Sequence, residues 1–197
     1  MPDPFAPVTA ALIAPGAASS DFDLNADVVL PENRVLRDAG VLVPLVVENG
    51  VLRVILTMRS SALKHHPGQI AFPGGKVDDG DADVEVAALR EAEEEIGLRA
   101  GNVEVLGAMP CHETVTGFSV TPVLGRVKNP FIPVPERGEV EEVFSVPLAH
   151  VTDPARFSIQ HRRWRGNRRY YYAVPYGPYY IWGATARILR ALAERMS

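Results

Sequence analysis

The spacing of apolar and polar positions changes several times along the chain. Val41–Val47 and Leu52–Thr57 are β-branched runs separated by Glu48-Asn49-Gly50. An Asn-Gly pair between two such runs predicts a tight hairpin, because both residues accept the positive φ that the turn requires. Strand-like runs recur at Val103–Ala108, Phe118–Val127 and Val140–Val146, and the proline-rich stretch Asn129–Pro135 reads as a loop. A second hairpin is expected from Phe157–Trp164 and Tyr170–Val174 around Arg165-Gly166-Asn167. Helical spacing appears from Asp83 to Gly97, where the glycine suits a helix end, and again over Ala184–Met196. A short helix near Val8–Ala14 would end at Pro15-Gly16. Strands precede, separate and follow a few helices, so the expected class is mixed α+β rather than regular βαβ. Residues 1–40 read as an N-terminal arm, part of the core or packed on it, and residues 41–197 as the main domain.

The helix after Asp83 carries the chemistry. At about 100° per residue, with Glu91 at the origin, Glu94 falls near ~300° and Glu95 near ~40°. The three carboxylates therefore share one face. Ala87 and Ala88 flank that face and are expected to leave it open, while Val86, Leu89, Ala92 and Ile96 form the core stripe. Such a face is most often simply solvated. A hard divalent cation gives like charges a reason to gather, since it takes oxygen ligands. Phe72-Pro73-Gly74-Gly75 precedes the helix, and a Gly-Gly pair lets backbone approach a ligand closely.

Composition narrows the classes. The chain has 197 residues, 47% of them hydrophobic, with 20 Lys and Arg against 24 Asp and Glu for a net charge of −4. These values suit one globular domain with a substantial core. A mildly acidic chain is a poor bulk DNA binder. One cysteine excludes an internal disulfide or a multi-cysteine zinc site. No apolar run is long enough to span a membrane, and the start lacks a basic secretory n-region, so a cytoplasmic location is expected.

The segment Gly74–Leu98 resembles the Nudix box, G-x5-E-x7-R-E-U-x-E-E-x-G-U. Its second half fits in every fixed position: Arg90, Glu91, Ala92, Glu94, Glu95, Gly97 and Leu98. The first half departs, because Asp81 stands where the pattern has Glu and the loop to Arg90 is one residue longer. The resemblance thus assigns Asp81 no role. Upstream, Leu56–Gly75 (LTMRSSALKHHPGQIAFPGG) is similar to the signature of the coenzyme A pyrophosphatases of this superfamily, through Thr57, Arg59, Ser60, Gly68 and Phe72–Gly75. Lys64 replaces that signature's Arg, keeping the charge and losing the bidentate fork.

The resemblance implies an α/β/α sandwich with a mixed sheet between helices. It implies hydrolysis of the coenzyme A pyrophosphate to 3′,5′-ADP and 4′-phosphopantetheine, with Mg²⁺ or Mn²⁺ as cofactor. Glu91, Glu94, Glu95 and the Gly75 carbonyl are the implied metal ligands. Glu91, Glu94, Arg90 and Glu139 are the implied catalytic set, with Arg90 orienting a carboxylate and Glu139 preferred over Glu142 and Glu113 as the later acid. Arg59, Lys64, Gly74 and Gly75 are the implied substrate-binding residues. Other substrates in view are ADP-ribose, dinucleotides and capped RNA, and a non-catalytic ligand sensor is the alternative of another class.

Several features stay open at this level. Arg162, Arg163, Arg165, Arg168 and Arg169 crowd the second hairpin with Trp164 and Tyr170–Tyr172. They suit a charged hairpin tip, a site for the 3′-phosphate of coenzyme A, or RNA contact. His65 and His66 read as exposed loop residues, and Cys111 as a buried or half-buried thiol without a role. The arm and the aromatic hairpin are the surfaces on which a homodimer would form.

Overall fold

The computed structural model describes residues 3–31, 33–164 and 166–196; Arg165 and the side chain of Trp164 lie outside that description. The hairpin expected at Asn49-Gly50 forms from β2 (Arg37–Glu48) and β3 (Val51–Arg59), with β1 being the short strand Ser19–Ser20 in the arm. Glu48 pairs with Val51, and Asn49 and Gly50 take φ values of 50° and 77°. Such a two-residue turn matches the twist of the strands it joins.

Three short strands and two long ones complete the sheet. They are β4 (Ile70–Ala71), β5 (Gly74–Lys76), β6 (Val103–Ala108), β7 (His112–Glu113) and β8 (Phe118–Val127). The edge beside β3 is β9 (Val140–Pro147). The order runs β1-β7-β8-β2-β3-β4, with β5 on β2, β6 on β8 and β9 on β3. β2 and β8 run parallel while β2 and β3 run antiparallel, so the sheet is mixed.

Side chains alternate along β2 and β3 and bury both faces. Val43, Leu45, Val54 and Leu56 point into one core, and Leu42 and Ile55 into the other. The first core is covered by α1 (Ala6–Ile13), the single turn α3 (Leu148–Val151) and α4 (Ala184–Met196). α2 (Val84–Ile96) covers the second. The result is the expected α/β/α sandwich. Outside it, β10 (Ser158–Trp164) and β11 (Asn167–Ala173) form a separate two-stranded ribbon. Among the described residues, no helix is long and apolar enough to cross a membrane.

Two expectations change. The strand read at Val41–Val47 begins earlier, at Arg37, its polar start extended by pairing with β5 and β8. Ala87 and Ala88 are fully buried, whereas Val86 is exposed. The helix sits too close to the sheet for a larger residue. A Cβ on Gly40 would meet the Val84 carbonyl oxygen at 2.2 Å and the Ala88 Cβ at 3.2 Å. Small residues on both partners allow this approach and rotate the buried stripe toward Ala88, Ala92 and Glu95.

The arm is tied down by polar contacts that hydrophobic spacing does not report. β1 lies parallel to β7, and fully buried His112 is bonded through Nδ1 to Ser19 Oγ (2.9 Å) and through Nε2 to Asp21 Oδ1 (3.3 Å). Asn25, 3% exposed, receives the Tyr170 N–H at 2.8 Å and donates to the Tyr170 and Asp21 carbonyls. It thereby fastens the arm to the β10–β11 ribbon. Asn25→Ala leaves these backbone groups unmatched in a buried place, so we expect a loss of roughly 1–3 kcal/mol. Urea unfolding would show a lower midpoint with an unchanged slope, and an unchanged midpoint would show that the arm is not anchored there.

Candidate functional site

α2 is a well-defined helix, which fixes its acidic face. Asp83 caps it by accepting the Glu85 and Val86 N–H groups, both at 2.9 Å, and Gly97 closes it in the left-handed conformation. The face looks onto β5. A Cβ on Gly75 would lie 2.4 Å from Glu91 Oε1, so the Glu91 carboxylate occupies the space that any other residue's side chain would need. The Gly74 N–H donates to Glu95 Oε2 at 3.2 Å. The Gly-Gly step is therefore the floor on which both carboxylates rest.

The carboxylates of this face are not equivalent. Glu95 is buried, Glu91 half-buried and Glu94 exposed. Burial pushes the Glu95 carboxyl up to about 8, the charges of Glu91 and Glu139 add to the rise, and the Gly74 N–H opposes it. Burial also raises Glu91, against the pull of Arg90. Glu139 lies in the loop before β9, its carbonyl accepting the Ser60 N–H at 2.8 Å, and its charge reaches both glutamates. The weaker acids are engaged elsewhere: Glu142 accepts the Tyr179 hydroxyl at 2.6 Å and Glu113 pairs with Arg34.

Arg90 organises the face. Its Nε and Nη2 bind Asp81 Oδ1 and Oδ2 at 3.0 and 2.9 Å, and its Nη1 reaches Glu91 at 3.1 Å and Glu94 at 3.0 Å. The bidentate pair holds the Asp81 carboxyl down at about 2 and raises the guanidinium above its ordinary value. Asp81 thus braces Arg90 across the longer loop. A sequence signal for this existed only as an acid nine positions before Arg90. With Arg90 between Glu91 and Glu94, no three Asp, Glu, His or Cys side chains among the described residues already converge as an ion cage. The donor set nevertheless suits a hard cation: it is all oxygen, and buried Glu95 has no ion pair among the described residues, Arg59 acting on it only through its charge.

Gly74 also lines a cleft of about 260 Å³, which joins the acidic face to the β10–β11 ribbon. Arg59 lines it, its Nε buried and without a hydrogen-bond partner among the described residues. Lys64 does not line it and lies on an exposed loop. His66 does line it, with φ of 55°; burial first, then the charges of Arg59 and Arg162, lower its pKa. The far wall is Arg162, Arg169, Tyr170–Tyr172 and Trp182, facing Asp21, Asp23 and Leu24 of the arm. Periodicity gives no sign of the arm's part in this wall. Cys111 is half-buried and lies outside the cleft.

A model of the NUDIX domain matches residues 36–166. The chain is 44% identical over 157 residues to a protein of Escherichia coli (strain SMS-3-5 / SECEC) called uncharacterized Nudix hydrolase NudL, covering 80% of this chain and 81% of the other. A protein of the same name from Cronobacter sakazakii (strain ATCC BAA-894) is 44% identical over 159 residues, with the same coverage of each chain. The fold is similar to the crystal structure of a Nudix hydrolase from M. smegmatis, RenU, at a TM-score of 0.50 and 25% identity, over 62% of this chain and 84% of that one. It is also similar in fold to a C. elegans Ap4A hydrolase binary complex, at a TM-score of 0.50 and 23% identity, over 56% of this chain and 80% of that one.

The buried Glu95 predicts a pH effect. Its ordinary value is 4.5 and its folded value about 8. Between these, the folded chain keeps a proton that the unfolded chain releases, so metal-free stability falls as pH rises through that window. The fall is on the order of a few kcal/mol at most. Melting temperatures in chelator from pH 5 to 8.5 should decline for the native chain and flatten for Glu95→Gln. Parallel declines would place the effect elsewhere.

Proposed function

The chain belongs to the Nudix hydrolase family, and we propose that within it the chain cleaves the pyrophosphate of coenzyme A or its oxidised or acyl forms. The products are 3′,5′-ADP and the corresponding 4′-phosphopantetheine. The observation that carries this reading is the continuity of two surfaces at Gly74: the buried Glu95 carboxylate beside half-buried Glu91 on one side, and on the other a cleft lined, among the described residues, by four arginines and two aspartates. Such a juncture suits a substrate whose charged centre lies at the acids and whose remainder is anionic. The similarity of Leu56–Gly75 to the coenzyme A signature narrows the class.

Water attacks one phosphorus, a P–O bond of the anhydride breaks, and the leaving phosphate departs with the shared oxygen. Mg²⁺ or Mn²⁺ held by Glu91, Glu94, Glu95 and the Gly75 carbonyl would supply positive charge to the phosphoryl oxygens and acidity to a water. Arg59 adds charge on the cleft side, which it lines. Arg90 is a positioning residue, since Asp81, Glu91 and Glu94 take its donors. Glu94 would exchange its pairing with Arg90 for the ion. Glu91 or Glu139 would receive the water's proton. Gly74 and Gly75 keep the floor low enough for the pyrophosphate to approach.

Incubation with Mg²⁺ and coenzyme A, ADP-ribose, NADH and a diadenosine polyphosphate, followed by product identification, tests the reading. Coenzyme A should be cleaved fastest, and Glu94→Gln and Glu95→Gln should each lose at least about 100-fold in kcat at native-like melting temperature. Faster cleavage of ADP-ribose would overturn the substrate class. No hydrolysis of any compound would favour a ligand sensor, and near-normal turnover in both variants would overturn the metal ligands.

A further inference from the structure

The proline-rich segment between β8 and β9 passes over the C-terminal end of α2. The last carbonyls of a helix have no partner within it. The N–H groups of Gly97 and Leu98 serve those of Ala92 and Glu93. The next ones are served from far along the chain: the Val134 N–H donates to the Ile96 carbonyl at 3.0 Å, and the Glu136 N–H to the Glu95 carbonyl at 2.9 Å. Pro133 and Pro135 alternate with these two residues. A proline has no N–H and holds the residue before it extended. Both N–H groups that residues 133–136 possess are therefore bonded to the helix end. Ile132 is 87% exposed and Val134 66%, so burial does little to hold the segment there and the hydrogen bonds set its place.

The segment leads into a turn that ends at Glu139. The Glu136 carbonyl accepts the N–H groups of Glu139 at 3.0 Å and of Val140 at 2.8 Å, and the Glu139 carbonyl accepts that of Ser60 at 2.8 Å. Val140 pairs with Arg59 where β9 meets β3. Backbone bonds thus run from Glu95 to Glu136, from Glu136 to Glu139, and from Glu139 to the residue after Arg59. The charge of Glu139 is felt at both Glu91 and Glu95.

We propose that residues 133–136 form a brace that places Glu139 relative to Glu95, and that Glu136 is a positioning residue acting through its backbone N–H and not through its carboxylate. This rests on the reading of Glu139 as the later acid of the hydrolysis. Glu139 is exposed, so close packing does not place its carboxylate. The backbone from which the side chain starts does. An acid that takes a proton from an attacking water works only within a narrow range of positions, and a displacement of about 1 Å can cost roughly 100-fold in rate. Prolines on both sides of Val134 remove backbone freedom that the turn would otherwise inherit. The brace also ties the acid to the helix that carries the other carboxylates, so the two move together.

Steady-state kinetics in Mg²⁺, with whichever compound of the panel is cleaved fastest, tests this through a double-mutant cycle. Glu136→Ala keeps the N–H and should hold kcat within about twofold of native. Glu136→Pro removes the N–H and should lower kcat at least about fivefold, with KM within about twofold. In the Glu139→Gln background, where kcat is already low, Glu136→Pro should change it by less than about twofold. Pro135→Gly keeps every N–H and loosens the segment; it should show the same dependence on Glu139 at smaller size, and it carries the test if Glu136→Pro fails to fold. Equal losses in the two backgrounds, or native turnover in both Glu136→Pro and Pro135→Gly, would overturn the brace while leaving Glu139 in its role. Native turnover in Glu139→Gln would instead remove Glu139 from the proposed reaction, and the brace with it.

Discussion

Carboxylates gathered on one helix face repel, and the placement of Glu91 and Glu95 governs much of the structure around them. Glu95 is buried beside the Gly74 N–H, and Glu91 fills the space above Gly75. With the helix this close, β5 can carry no side chain at the contact, and β2 must be glycine at residue 40. Small residues on α2 then become core, although they stand beside the acids in sequence. The close packing that positions the carboxylates also removes water from them, which is why burial leads the rise of Glu95.

Arg90 answers part of that repulsion without cancelling it. Its fork is anchored on Asp81 and its remaining edge spans Glu91 and Glu94, leaving Glu95 facing the cleft side at Gly74. Opposite charge is supplied at a distance by Arg59 and by the arginines of the ribbon. A net charge of −4 thus conceals a division between an acidic helix and a basic cleft that meet at one glycine. Bulk attraction to nucleic acid is not needed for phosphate recognition on such a surface.

Legibility in the sequence followed the physics of each element. The Asn49-Gly50 hairpin, α2 with its Asp83 and Gly97 ends, and the long strands were readable because local turn chemistry and spacing specify them. The motif also located Arg90 and its glutamates. The inward rotation of α2 was not readable, since it depends on Gly40 in a distant strand. Asp81 was obscured by the longer loop, and only three-dimensional closure brings it to Arg90. The arm's role in the cleft arises from side-chain hydrogen bonds between Asn25 and Tyr170, which leave no periodic trace. Lys64, with the right charge in the right motif, is carried outward by its loop.

In the proposed function, Glu95 is buried on this face as a ligand for a divalent cation. Titration of the native chain and Glu95→Gln with Mn²⁺ at pH 8, following loss of the free-ion electron paramagnetic resonance signal, tests it most directly. Binding by the native chain should saturate, and the variant should bind at least roughly tenfold more weakly, with both chains folded. Equal affinities would contradict it.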